Sequence, residues 1–297
     1  MFKPQKALHL YLEIEKKRTK VADDNFIVFE KYDGWYGSKR VALDDNPVNG
    51  ILTRQGRIIP SLTSFSASMN ESEANNNIAL KGQLIFEILV EGVPEFSELN
   101  GILNRSKAPC QATQAYIMVH DFIPEGNEDI PTVERYCLAK QYVAQLQHPR
   151  VKLATIYATG GHELVQQVAE KVWARTNPNV SKEGAIGKRV DAPYSQGKRN
   201  KDLIKVKCEV SLEMEVVGYE MGQGKYANTL GKLLVQQANG MQHSVSGMSD
   251  TQRDEWYSDF SLINGAVVQV DAMQILPNGS LREGRFKCQR FDKDEID

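Results

Sequence analysis

The chain has 297 residues, 41% of them apolar and 25% charged, with a net charge of −2. That length allows two cored domains, and the composition excludes a disordered or membrane protein. No apolar run reaches the ~18 residues that cross a bilayer, and no signal-peptide h-region follows the N-terminal basic residues, so a cytoplasmic protein is expected. Cys110, Cys137, Cys208 and Cys288 are scattered with no CxxC pair, which favours free thiols over a zinc or redox motif. The net charge alone argues against nucleic-acid binding. The distribution matters more than the sum: Lys198, Arg199, Lys201, Lys205 and Lys207 crowd one short stretch, although such a run taken alone reads as a solvated loop.

In chain order, Leu8, Leu10, Leu12 and Ile14 alternate as in a strand, although Glu13 to Arg18 also suits a helix. Phe26 to Glu30 predicts a strand running into Lys31. Trp35 to Leu43 and Gly50 to Arg54 predict two more, with a turn at Gly56. Leu84-Ile85-Phe86 and Ala115 to Phe122 predict further strands. Thr132, after Pro131, reads as the N-cap of a helix with Val133, Tyr136, Cys137 and Ala144 on one face. Leu164, Val165, Val168 and Val172 mark a second helix. Beyond Cys208 the chain turns to short β-runs: Met214 to Tyr219, Leu230 to Val235, Gln242 to Val245, Ala266 to Ile275 and Arg285 to Phe291. A helical segment, Thr251 to Tyr257, interrupts them, and Pro277-Asn278-Gly279 makes a turn. Five short strands and one helix in ~90 residues suit a β-barrel of the OB type. The expected domains are therefore 1–208 and 209–297.

Lys31 stands out for chemistry. It lies in Glu30-Lys31-Tyr32-Asp33-Gly34, where a strand delivers an amine to a tight turn. A lysine amine is protonated at neutral pH, so as a nucleophile it needs desolvation or neighbouring cations to lower its pKa. In Leu203-Ile204-Lys205-Val206-Lys207 both lysines share one strand face. Between these elements lies Glu183-Gly184-Ala185-Ile186-Gly187-Lys188.

Together, Lys31-Tyr32-Asp33-Gly34, Glu183-Gly184 and Lys205-Val206-Lys207 resemble the covalent nucleotidyltransferases, and among them the small phage-type ATP-dependent DNA ligases. The resemblance implies an α+β fold: an antiparallel-sheet adenylation domain followed by an OB-fold β-barrel domain. It implies that Lys31 takes AMP from ATP, that AMP passes to the 5′-phosphate of a nick in duplex DNA, and that the 3′-hydroxyl displaces it. Glu30 would border the nucleotide. Glu183 would bind Mg²⁺, which suits a carboxylate with phosphate oxygens. Lys205 and Lys207 would neutralise phosphate. Thr53-Arg54 resembles the family's Ser/Thr-Arg element, with Arg54 in the substrate phosphate region. Asn100 to Ser106 resembles a phage-type segment that would bring Arg105 and Lys107 near the nick. Lys198 and Arg199 would contact DNA. Gly279 to Phe286 resembles the final motif, where Arg282 and Arg285 would orient pyrophosphate. A monomer is expected, in the host-cell cytoplasm if phage-encoded.

Three positions depart from the family pattern. Tyr36 stands where an arginine usually follows the Asp-Gly, so Lys39 or Arg40 substitutes or the contact is lost. Lys81-Gly82-Gln83-Leu84 replaces Asp-Gly-Glu-Leu. Gln83 is the expected ribose contact, in preference to Glu87 four residues on. His120 occupies the place of an adenine-stacking aromatic, with Phe122 in reserve. The alternatives are an RNA ligase, a capping guanylyltransferase, a ligase-like fold of weakened activity, or a non-catalytic OB-fold nucleic-acid-binding protein. The Asn100 to Ser106 segment and the arginine-bearing final motif favour DNA ligase. An NAD-dependent ligase is disfavoured by the 30 residues before Lys31 and the absence of zinc cysteines.

Overall fold

The computed structural model describes residues 2–10, 25–41, 50–93, 96–104, 112–127, 129–176, 183–207, 209–276, 278–293 and 295–297. The chain divides into two units, Met1–Lys207 and Cys208–Asp297.

Two sheets build the first unit. One has the strand order β1-β9-β8-β2-β7, with β1 at Lys6–His9, β2 at Phe26–Lys31, β7 at Ile156–Gly160, β8 at Gly184–Arg189 and β9 at Arg199–Lys207. Period-two alternation sorts its side chains. Phe26, Val28, Ala185, Ile204 and Val206 pack on α4 (Glu163–Trp173), which contributes Val165, Val168, Ala169 and Val172. Each of these valines stabilises the unit by about 1.5–3 kcal/mol through burial. The opposite face presents Lys31, Ile186, Lys205 and Lys207 to a cavity.

The second sheet has the order β3-β4-β5-β6: Trp35–Val41, Gly82–Val90, Ala115–Pro124 and Val151–Leu153. Its Leu84, Phe86, Ile88, Ile117 and Val119 join a core with Phe65 and Met69 of α1 (Thr63–Asn75) and Tyr142 and Leu146 of α3 (Thr132–Leu146). Leu99 and Leu103 of α2 (Phe96–Leu103) complete it. Ile85, Glu87, His120 and Asp121 of β4 and β5 line the same cavity as Lys31. The mixed α+β architecture with antiparallel sheets is therefore as expected.

Several local expectations change. Gly50 to Arg54 is not a strand; Leu52 makes only single bridges, to Ser38 and to Ile58. Thr132 is the first helical residue of α3, and Pro131 occupies the N-cap without a side-chain cap. The Thr132 hydroxyl instead donates to the Ala192 carbonyl at 3.1 Å and is buried. Helix α1 carries little sequence signal because Ser and Asn are weak helix formers, so packing of Phe65 and Met69 must stabilise it. Leu12, Ile14, Leu43 and the stretch from Glu13 to Arg18 lie outside the described residues.

In the second unit, β10 (Val210–Met221), β11 (Leu230–Gln236), β12 (Gln242–Val245), β13 (Val267–Ala272) and β16 (Arg285–Gln289) form one antiparallel sheet of order β12-β11-β10-β13-β16. A short hairpin pairs β14 (Gln274–Ile275) with β15 (Leu281–Arg282). Helix α5 (Asp250–Ser258) starts with a capping box between Ser249 and Gln252. Met214, Val216, Leu233, Val235, Trp256, Val268 and Phe286 form the core. Among the described residues the two edges of the sheet meet at a single bridge, from Ser246 just after β12 to Arg285 of β16, and no continuous ladder closes the sheet into a barrel. No helix among the described residues is long and apolar enough to cross a membrane.

Candidate active site

Strand register assembles the charged residues. Lys31 of β2 pairs with Gly184 of β8, and Gly184 pairs with Lys207 of β9. Three strands thereby bring Lys31, Glu183 and Lys207 to one end of the sheet. Lys31 Nζ lies 2.6 Å from Glu183 Oε2, and Lys207 Nζ lies 3.4 Å from Glu183 Oε1. Two glycines permit this approach. A Cβ on Gly184, whose φ is +143°, would sit 2.1 Å from the Val206 carbonyl oxygen. A Cβ on Gly34 would sit 2.6 Å from the Ile88 carbonyl oxygen, so the turn after Lys31 can cross close over β4.

The cavity beside Lys31 has a volume of about 280 Å³. Arg54, Glu87, Lys188, Arg199, Lys205 and Lys207 are among its lining residues. Burial, Lys207 and Lys31 lower the pKa of Lys205 to about 8. Lys31 goes the other way. Burial works against its charge, but Glu183 and Glu87 outweigh burial and hold its pKa above the ordinary lysine value. The expectation of a lowered Lys31 pKa is thus corrected for the ligand-free protein: the carboxylates, not the lysines, are its strongest neighbours.

Glu87 replaces Gln83 in the cavity. Both lie on the same face of β4, but Gln83 is not among the lining residues, and its amide nitrogen is buried without a hydrogen bond. Burial raises the Glu87 pKa to about 7, against the pull of Lys31. The signal was present in the sequence: Glu87 is the one carboxylate inside the apolar run Ile85 to Val90.

Glu30 touches a smaller adjoining cavity with Phe29, Tyr32, His120, Ala154 and Ile186. Its carboxylate, however, is held by Arg175 at 2.6 and 2.8 Å and by the Tyr157 hydroxyl at 3.0 Å. His120 lines both this cavity and the larger one. The register between β4 and β5 shifts at this point: Ile85 pairs with Asp121 and Phe86 with Val119. This bulge turns His120 and Asp121 together into the cavity and sends Phe122 into the core, where it packs against Tyr142. Phe122 is therefore removed as the reserve stacking residue.

Neither Lys39 nor Arg40 replaces the missing arginine. Lys39 is fully buried and pairs with Glu73 at 2.8 Å, while Arg40 reaches Glu125 at 3.3 Å. Arg54 lies over the Tyr36 ring, 5.2 Å from its centroid. Lys198 is exposed and lies outside the cavity lining. Arg282 sits on β15, and Arg285 pairs with Glu209 at 2.6 Å within the second unit. Arg105 and Lys107 lie outside the described residues. The sequence reading also missed Asp121, Arg135 and Lys188, a buried cluster in which Asp121 accepts from Arg135 Nε at 2.9 Å and from Lys188 Nζ at 2.9 Å.

Residues 4–207 match the family model for the ATP dependent DNA ligase domain. The chain belongs to that family. A DNA ligase of Thermococcus fumicolans is 32% identical over 114 residues, which cover 37% of this chain and 19% of the relative. A DNA ligase of Thermococcus onnurineus (strain NA1) is 30% identical over 108 residues, covering 36% of this chain and 18% of the relative. The matched region thus spans about a fifth of those relatives' length. Among solved structures, Pmar-Lig_PreS3 aligns over 97% of this chain and 68% of its own, with a TM-score of 0.79 and 21% identity. A structure from work on minimal-scaffold Lig E DNA ligases aligns over 98% of this chain and 100% of its own, at 0.71 and 18%. The ATP-dependent DNA ligase of bacteriophage T7, in complex with ATP, aligns over 97% and 98%, at 0.51 and 21%. These structural likenesses establish the shared fold.

Proposed function

We propose that this chain is an ATP-dependent DNA ligase that seals nicks in duplex DNA through an adenylated Lys31. The observation that carries the reading is the convergence of Lys31, Glu183 and Lys207 within 3.4 Å contacts, with Lys205 on the same cavity wall. In the first step the Lys31 ammonium releases a proton to solvent, its amine bonds to the α-phosphorus of ATP, and pyrophosphate leaves with the electrons of the broken P–O bond. Lys205 and Lys207 offset the charge that gathers on the phosphate oxygens. AMP then passes from Lys31 to the 5′-phosphate of the nick, and the 3′-hydroxyl displaces it.

The cavity lining supports the roles of Glu87, Arg54, His120, Ile186 and Arg199, and the family resemblance supports the rest. Glu87 takes the ribose contact in place of Gln83, Arg54 meets the phosphate region, and His120 with Ile186 borders the base. Arg199 and Lys198 contact the DNA backbone, and Arg282 and Arg285 serve pyrophosphate. The donor chemistry fits Mg²⁺: Glu183 offers one carboxylate and Glu87 lies close by, which matches an ion that takes one or two carboxylates plus substrate phosphates. When bound, Mg²⁺ would supply charge neutralisation at the phosphates. The second unit is read as an OB-fold on the strength of its five antiparallel strands, intervening helix and edge-to-edge bridge.

The test is strand sealing. With ATP and Mg²⁺, the protein should join a nicked DNA duplex, and join it better than the same nick flanked by RNA. Preferential sealing of RNA would move the reading to RNA ligase, and labelling by GTP alone would move it to capping.

A further inference from the structure

His120 stands on a bulge between two cavities, and its surroundings fix more than its position. Lys188 Nζ makes three short contacts: 2.8 Å to the His120 carbonyl, 2.9 Å to Asp121 Oδ2 and 3.0 Å to His120 Nδ1. An ammonium has three donors and no acceptor. The carbonyl and the carboxylate take two of them, and Nδ1 takes the third. Asp121 is ionised, because Lys188 and Arg135 together overcome its burial and hold its pKa at about 2. That carboxylate favours the charged form of Lys188, against the burial that lowers its pKa. With Nδ1 accepting, the imidazole proton must reside on Nε2. Burial, and then the nearby Lys188, push the His120 pKa down to about 3; Asp121 opposes them and Lys31 adds to them. The ring is therefore neutral.

We propose that His120 is a specificity-determining donor as well as a wall of the base pocket: its Nε2–H donates a hydrogen bond to the bound adenine nucleotide, and Lys188 is the positioning residue that holds this tautomer. The inference rests on the reading that the cavity beside Lys31 takes the nucleotide. A phenylalanine at this position would offer a stacking face and nothing to donate. The histidine offers a smaller face and a donor fixed in one state across the working pH range.

The experiment has two arms. In the first, ¹⁵N-histidine-labelled protein is studied by long-range ¹⁵N–¹H correlation between pH 5 and 8. The His120 signals are assigned by their loss in His120→Phe. They should show a neutral ring protonated at Nε2 throughout, and Lys188→Met should shift them towards mixed tautomers. A ring protonated at Nδ1, or an imidazolium at pH 5 to 6, overturns the proposal, and this arm stands even if Lys188→Met does not fold.

In the second arm, the formation of protein-bound AMP is followed against ATP concentration in the wild type and His120→Phe. Loss of one hydrogen bond should raise the half-saturating ATP concentration about three- to tenfold in His120→Phe, with the maximal rate little changed. Equal or tighter ATP use by His120→Phe shows that only a wall was needed and overturns the donor role. Absence of AMP transfer in the wild type would instead sink the ligase reading itself.

Discussion

The Lys31 end of the cavity and the Asp121 end both bury opposite charges, yet they are built differently. At the Asp121 end the charged groups are densely hydrogen-bonded to one another and to backbone carbonyls. Arg135 donates to Asp121, to the Ile130 and Ala192 carbonyls and to the Thr132 hydroxyl, while Lys188 fills all three of its donors. At the Lys31 end three amines act on Glu183, Glu87 lies beside Lys31, and the pKa values are displaced in opposite directions: Lys31 upward, Lys205 down to about 8, Glu87 up to about 7. Densely bonded charges hold a shape. Shifted charges are poised to change partner or protonation state when phosphate enters. The two clusters separate a scaffold from the proposed reaction centre within the lining of one cavity.

Breaking the Asp121 end should have the largest effect. Arg135→Leu leaves Asp121 short of a partner in a dry site and should destabilise the protein by about 3–5 kcal/mol, read from urea unfolding. A loss under 1 kcal/mol would remove the contrast between the ends. Next comes the reaction centre. Glu87→Gln should slow AMP transfer to the protein about 30- to 100-fold with stability little changed, whereas Gln83→Leu should leave the rate within about threefold. The reverse ranking would restore Gln83 to the ribose.

The pH dependence of stability sharpens the comparison further. His120 has a folded pKa of about 3 against an ordinary value of 6.5, so its neutral form favours folding fully above pH 6.5. That contribution is lost as the pH falls towards about 3, because the unfolded chain binds the proton first. The slope attributable to His120 is about 1.4 kcal/mol per pH unit in that window, and it should be missing from His120→Phe. The smallest effect is expected at Lys205, whose charge is lost as the pH rises through about 8. Labelling should fall a few-fold on that alkaline side, and Lys205→Arg should move the fall to higher pH.

Much of this was legible in the sequence because the chemistry sits on regular strands. Alternation placed Lys205 and Lys207 on one face, and Phe26 to Phe29 marked the strand that ends at Lys31. The strands of the second unit also followed from the residue pattern, whereas the α+β class came from the family resemblance. What could not be read were events that break periodicity or depend on distant partners. The bulge at His120 inverted the expected side for Phe122. Helix α1 owes its existence to packing of Phe65 and Met69 rather than to its own residues. Glu87 was passed over because a motif spacing favoured Gln83, although a lone carboxylate in an apolar strand is itself a physical signal. The direction of the Lys31 shift required knowing that Glu183 comes closer to it than the lysines do.

The central claim is that Lys31 is the residue that carries AMP. Protein freed of bound nucleotide is incubated with Mg²⁺ and α-labelled ATP, denatured, digested and mapped by mass spectrometry. The label is expected on the peptide containing Lys31, stable to denaturation and abolished in Lys31→Ala. Label on another residue, label that survives Lys31→Ala, or no label at all would contradict the account.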